Sequence, residues 1–261
     1  MSTTFASPRE LRMAAREGRF DRPTPGLCPG HVQANMAILP RDLAVDFRTF
    51  CEKNPKPCPL LEVIEHGAEP VHLAPGADVR TDLPRYRVWR RGEFEEATDV
   101  RDVWRDDLVT FLIGCSFTFE GGLMDAGIRL RHVELGTNCT MFVTNIACAS
   151  AGPFRGNMVV SMRPIPDALV ETAYSITGRY PAVHGAPIHA GDPAAIGVAD
   201  IMRPDFGDAV EVKAGETPVF WACGVTPQVA LMNAKPDLAI THAPGHMFVS
   251  DRLDAEYEVA G

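Results

Sequence analysis

Between residues 108 and 251 the chain carries five short blocks, GCSFTFE (114–120), VVSMRP (159–164), HGAPIHAGDP (184–193), FWACGVTPQ (220–228) and THAPGHM (241–247). Each sets Cys, Ser, His, Asp or Thr beside Gly or Pro, after or at the end of an apolar run. Gly and Pro interrupt regular structure, so the blocks put reactive side chains on turns that follow short buried elements, where binding and catalytic groups are usually displayed. Each block is weak evidence by itself. Their force is collective.

The stretches between the blocks read as short elements of both kinds. SPRELRMAAREG predicts a helix over residues 8–17, with Ser7 as N-cap, Pro8 in the first turn and Gly18 as the stop. DRPTPGLCPGHVQANMAILP, rich in Pro and Gly, is expected to be an irregular segment. Leu43, Phe47 and Phe50 then share one helical face, and NPKPCP ends that helix. Residues 60–65 and 85–90 read as strands, and 103–107 as a third helix ahead of the apolar strand LVTFLIG. That strand turns through Cys115 and Ser116 into a helix holding Glu120 and Leu123, an arrangement suited to binding an anion. Strands are expected at HVEL, CTMFVTNI and NMVVSMRPI, a helix over 167–177, and strands again at DAVEVK, TPVFWACG and LAITHAP. The order gives an α/β architecture in two subdomains: residues 1–129 and 185–261 form a discontinuous main domain and 130–184 a smaller α+β unit.

Composition narrows the function. Lys and Arg number 25 against 34 Asp and Glu, a formal charge of -9, which disfavours a nucleic-acid partner. No run approaches the ~18 apolar residues of a membrane span. The start lacks the apolar core of a signal peptide, so a cytoplasmic setting is expected. Seven cysteines without a CxxC read as reduced thiols rather than a disulfide framework or zinc ribbon. Neither IGCSFTFEGG nor HAGDPAAIG matches a nucleotide-binding loop, and GCSFT lacks the second glycine of a hydrolase elbow.

Several chemistries stay open at this level. His184, His189, Asp192, His242 and His246 could hold a divalent metal for a hydrolase, although Pro244 and Gly245 prevent the last two histidines from sharing a helical face. Cys115 and Cys223, each beside Gly at a strand end, are candidate nucleophiles. Arg163 offers a planar fork to a carboxylate, with Ser161 two residues earlier on the same strand face. Arg80, Asp82 and Arg87 form a second polar stretch, and Thr144, Asn145, Thr226 and Gln228 can hydrogen-bond a small polar ligand. A non-enzymatic small-acid binding protein would use the same groups.

Taken with GHVQANMAILP, DFRTFCEKNPKPCPLLE, DVRTDLPRYRVW, FLIGCSFTFEGGL, PDFGD and THAPGHMFVSD, the blocks make residues 30–251 resemble the D-glutamate cyclase family, a group of bacterial hydro-lyases. The resemblance implies an α/β/α sandwich with a smaller inserted α+β two-layer domain, and a lyase that removes water. In the characterised mitochondrial member, D-glutamate closes to 5-oxo-D-proline. Such chemistry needs a free amine, a polarised γ-carboxyl group and a stabilised oxyanion, with no obligatory cofactor, although a divalent metal is compatible with it. On residue chemistry, Arg163 would hold the α-carboxylate, His184 or His242 would act as base, Asp192 or Glu120 as acid, and the backbone from Cys115 through Ser116 to Phe117 would face the oxyanion. The expected partner is a small carboxylic or amino acid, and a homo-oligomer is compatible with the sequence.

Overall fold

The computed structural model describes residues 5–259. Its elements are α1 (Pro8–Arg16), β1 (His31–Pro40), α2 (Arg41–Lys53), β2 (Leu60–Ile64), β3 (Tyr86–Arg90), β4 (Glu93–Ala97), β5 (Leu108–Gly114), α3 (Glu120–Asp125), α4 (Arg131–Leu135), β6 (Thr140–Ala147), β7 (Asn157–Pro166), α5 (Val170–Gly178), β8 (His189–Ala190), β9 (Glu216–Ala222), α6 (Thr226–Ala234), β10 (Ala239–His242) and β11 (Phe248–Leu253). They build a seven-stranded sheet, ordered β2-β5-β1-β10-β3-β4 with β11 also on β1, and a four-stranded sheet, ordered β6-β7-β9-β8. The strand pairs are antiparallel, so the chain is α+β in character rather than α/β with parallel strands. The boundary expected at residue 184 falls inside the smaller sheet, because β8 and β9 lie beyond it.

The main correction concerns β1. The segment expected to be irregular contains the strand on which β5, β10 and β11 all pair. Its prolines and glycines stop at Gly30, apart from Pro40 at the strand's end. Ala34, Met36 and Ile38 enter the core on one side of the sheet, while Ala37 and Leu39 enter the core on the other, against α2 and α6. A strand buried on both faces lacks the polar alternation that usually marks one.

Four further expectations change. Residues 103–107 form no α-helix; a single 3-10 turn, Arg101–Val103, leads almost directly into β5. HVEL is part of helix α4, closed by Gly136 in the left-handed region at φ 64. DAVEVK forms no strand; instead its Asp208 carbonyl accepts from Thr140 Oγ1 and its carboxylate from the Asn138 N–H. Helix α6 lies in a region expected to hold only strands and loops. The helix after NMVVSMRPI begins as a 3-10 turn before becoming α5.

The smaller sheet is covered on one face by α3 and α5 through Phe119, Leu123, Ile165, Ala173 and Trp221, and on the other by Ile196, Val198 and Val210. Strand alternation on β7 sends Val160 and Met162 to the second face. Ser161, Arg163 and Ile165 therefore point the opposite way, towards the end of β5. That end is tightly fitted: a Cβ on Gly114 would lie 2.4 Å from the Ala182 carbonyl oxygen and 2.9 Å from Val183 Cα. Backbone cannot move aside as a side chain can. Gly114→Ala is expected to destabilise the protein by about 1–3 kcal/mol in urea unfolding; an unchanged midpoint would contradict this close approach.

Candidate active site

β5 stops at Gly114, and the 3-10 turn Ser116–Phe119 runs straight into α3. Ser116 and Glu120 are thus one turn apart, both buried, facing Ser161 and Arg163 on β7. Arg163 is 0% exposed and is held on three sides. Its Nε and Nη2 donate to Glu120 Oε1 at 2.9 and 2.6 Å, Nη2 donates to Ser116 Oγ at 2.9 Å, and Nη1 donates to Ser161 Oγ at 3.0 Å. The rings of Trp221 and Phe119 lie 5.3 and 5.6 Å from its guanidinium carbon. Burial alone would raise the Glu120 pKa, but His132 and Arg163 outweigh it and hold the carboxyl below its ordinary value. His132 Nε2 is 3.0 Å from Glu120 Oε1 without the alignment of a hydrogen bond, so proximity of charge couples them.

Arg163 is therefore fully engaged and has no fork to offer a substrate carboxylate, contrary to the expectation from sequence. Its effect is indirect. Because both serine oxygens accept from the guanidinium, the serine O–H groups can donate elsewhere. Ser116 and Ser161 line one enclosed cavity of about 20 Å³, together with Cys115, Cys223, Asn35 and His242. Such a volume holds a water molecule, so an amino acid can enter only if the walls separate. Asn138 lines both this cavity and an open cleft of about 570 Å³.

The cavity thiols are not activated. Burial pushes Cys115 well up, Cys139 to about 12 and Cys223 to about 11, so each is a neutral thiol at pH 7 rather than a thiolate nucleophile. All seven cysteines are free. His242 is 0% exposed; burial, reinforced by His246 and Arg87, lowers it to about 4, despite an opposing contact with Met36. Its Nδ1 lies 3.1 Å from the Met36 N–H and 3.3 Å from the Met36 carbonyl, and Gln228 Nε2 packs 3.3 Å from both ring nitrogens, so with Nδ1–H donating to that carbonyl the neutral ring keeps a lone pair on Nε2.

Other expected residues lie elsewhere. His184 is buried, but its Nδ1 contacts the Lys56 carbonyl at 2.8 Å and it does not line the cavity. Asp192 sits on an exposed turn and caps the Ala194 N–H. His189 Nε2 contacts the Asp192 carbonyl, and His246 lines the outer cleft with Nδ1 at the Pro244 carbonyl. Among the described residues no group of three His, Cys, Asp or Glu converges as a metal site, so the five-residue hydrolase constellation is not assembled. Thr144 and Thr226 satisfy strand carbonyls, and Asn145 is exposed.

Asn35, Asn138, Cys139 and His132 did not emerge from the sequence. Asn35 had a signal: Gln33 and Asn35 alternate within an otherwise apolar run. Asn35 Nδ2 donates to the Gly114 carbonyl at 2.7 Å, and Gly224 is the complementary small residue, since a Cβ there would fall 1.9 Å from that nitrogen.

The site joins the C-terminal end of β5, the ends of β9 and β10, and the middle of β7, and apart from Asn35 on β1 the residues lining its cavity lie in one matched region. The sequence model for D-glutamate cyclase matches residues 109–251. The chain belongs to the D-glutamate cyclase family. Its relatives extend the likeness to nearly the whole chain. A protein of Rubrobacter xylanophilus is 59% identical over 96% of this chain and 97% of its own; one of Natranaerobius thermophilus is 57% identical over 95% and 96%; and one of Stutzerimonas stutzeri is 56% identical over 97% and 96%. Each of the three is named "Putative hydro-lyase". A solved nitrogen repressor-like protein of Methanococcus jannaschii aligns with 94% of this chain and 99% of its own at 10% identity and a TM-score of 0.38, too loose a likeness to assign a fold. Among the described residues no helix is long and apolar enough to cross a membrane.

Proposed function

We propose that this chain is a hydro-lyase that removes water from a small amino or hydroxy acid, with the closure of D-glutamate to 5-oxo-D-proline as its reaction. The observation that carries the proposal is Arg163 set behind Ser116 and Ser161, which leaves two polarised hydroxyl donors facing one cavity. Such donors stabilise charge that develops on an acyl oxygen. Membership of the family supports the same reading.

In this mechanism the γ-carboxyl group enters the cavity and the amine approaches beside His242. The neutral imidazole takes a proton from the ammonium, the amine attacks the γ-carbon, and the oxyanion rests between the hydroxyls of Ser116 and Ser161. The C–N bond forms and one C–O bond breaks. Both protons given up by the ammonium leave with that oxygen as water. An imidazolium that ionises near 4 is a willing acid, so His242 can return its proton to the departing hydroxyl. Glu120 then serves to fix Arg163, and the roles first considered for His184 and Asp192 pass to His242.

The proposal keeps a main sandwich-like unit with a smaller inserted one, the latter centred on the four-stranded sheet, and a cytoplasmic place in amino-acid metabolism. Incubation of the purified protein with D-glutamate, followed by mass spectrometry, should show accumulating 5-oxoproline. No product from D-glutamate or from a panel of small amino and hydroxy acids would sink the proposal.

A further inference from the structure

We infer that the open cleft beside the cavity is a carboxylate subsite, in which Arg87 binds the α-carboxylate of a dicarboxylic amino acid while the other carboxyl group enters the cavity. The inference deepens the proposed function and rests on it for the identity of the inner group. Its starting point is a weakly paired cation. Arg87 lines the cleft, yet it makes no hydrogen bond among the described residues and its Nε is buried without a partner. Its nearest carboxylate, Glu96, stands 3.5 Å away and is engaged at 3.0 Å by Arg85. Arg85 in turn holds Asp21 at 3.0 Å, so Arg85 has two close partners where Arg87 has a single long ion pair to the shared Glu96.

Only 20% of the Arg87 side chain is exposed, with the ring of Phe94 packed 4.3 Å from its guanidinium carbon. A guanidinium stripped of most of its water and left with one long ion pair to a shared carboxylate is costly, and burial lowers its pKa although Glu96 opposes the shift. A carboxylate arriving in the cleft removes that cost through charge-assisted hydrogen bonds. The rest of the lining limits what else the ligand carries. Asp21, Glu96 and Asp205 stand against Arg22, Arg85 and Arg87, a near balance that suits an amino-acid zwitterion and disfavours a polyanion.

Position connects the subsite to the reaction. Asn138 lines cleft and cavity alike, and the Arg87 charge is near enough to act on His242. A ligand with its α-carboxylate on Arg87 would carry its amine past the strand end that bears His242. Neutralising Arg87 would also remove one of the charges that depress His242, raising its proton affinity when substrate is in place.

The test uses binding, so that it does not depend on turnover. Glutarate, a five-carbon dicarboxylate with no amine to react, and butyrate, which lacks one carboxylate, are titrated calorimetrically into wild-type, Arg87→Gln and Arg87→Lys protein, with thermal unfolding confirming that each variant is folded. Arg87→Gln should weaken glutarate by about ten- to a hundredfold and leave butyrate unchanged, with Arg87→Lys intermediate. Equal glutarate affinity in wild type and folded Arg87→Gln, or no glutarate binding by the wild type at millimolar concentration, overturns the inference. If glutarate binds through Arg87 but D-glutamate yields no 5-oxoproline, the subsite stands and the proposed reaction falls.

Discussion

Replacing Arg163 by Met should cost about 3–5 kcal/mol of folding stability, because it leaves the Glu120 carboxylate buried without the guanidinium that hydrogen-bonds it. Glu120 is 3% exposed and Arg163 is 0% exposed, so water cannot substitute for the lost partner. The remaining neighbour, His132, is close but not aligned to donate. The same change withdraws the guanidinium from Ser116 and Ser161, so their hydroxyls lose both position and polarisation. Urea unfolding of Arg163→Met and of Arg163→Met/Glu120→Leu separates these effects. The double variant should recover much of the stability, since it removes the stranded charge, while activity stays low because the serines remain unsupported. If the single variant unfolds at the wild-type midpoint, the charge cluster is not what organises this end of the fold.

Acid should unfold the protein well before its surface carboxylates protonate. His184 and His242 are buried as neutral rings, and burial lowers each to about 4 from the ordinary 6.5. In the unfolded chain both bind a proton near pH 6.5; in the folded chain neither does until about pH 4. The unfolded state therefore binds more protons in that window, so stability is full above pH 6.5 and is lost as pH falls towards 4, by about 3 kcal/mol for each histidine. Asp254 acts in the opposite sense. Burial raises it to about 7, so its contribution is full at low pH and is lost as pH rises through 7; partial exposure to solvent makes its share smaller. Urea unfolding at pH 7, 5.5 and 4 should show a net fall of several kcal/mol. Because His184 has φ 86, which Asn tolerates, His184→Asn should unfold with about 3 kcal/mol less pH dependence than wild type. Identical pH dependence in that variant would show that His184 is not held neutral by the fold.

Local signals carried well into the structure where one face of an element met solvent. Ser7 caps α1 by accepting the Glu10 N–H at 3.2 Å, and Phe47 and Phe50 of α2 are both fully buried. Alternation on β7 correctly paired Ser161 with Arg163, which are in contact. The failures have a common physical origin. β1 is enclosed on both faces, so the alternation of Gln33 and Asn35 gives way to an unbroken apolar run, and its Pro- and Gly-rich approach disguised where it begins. HVEL is too short to separate a strand from one turn of helix, a choice settled by Gly136 behind it.

The five blocks did place several cavity residues, including Cys115, Ser116, Ser161, Cys223 and His242. They could not show that Arg163 already had a partner, because Glu120 lies 43 residues away and meets it only through the tertiary fold. Nor could composition distinguish Arg87, without a hydrogen bond, from Arg85, which is paired twice. Charge counts show how many ions a chain has, not how closely the fold pairs each of them.

The central claim is that the hydroxyls of Ser116 and Ser161, oriented by Arg163, assist the loss of water from a γ-carboxyl group. Its most direct test follows D-glutamate bearing heavy oxygen at both γ-carboxyl positions by mass spectrometry, with wild-type protein and with Ser116→Ala/Ser161→Ala. The wild type should form 5-oxoproline that keeps one of the two labels, and the double variant, if folded, should do so at least about a hundredfold more slowly. Unlabelled or absent product from the wild type, or an undiminished rate in the double variant, would contradict the account.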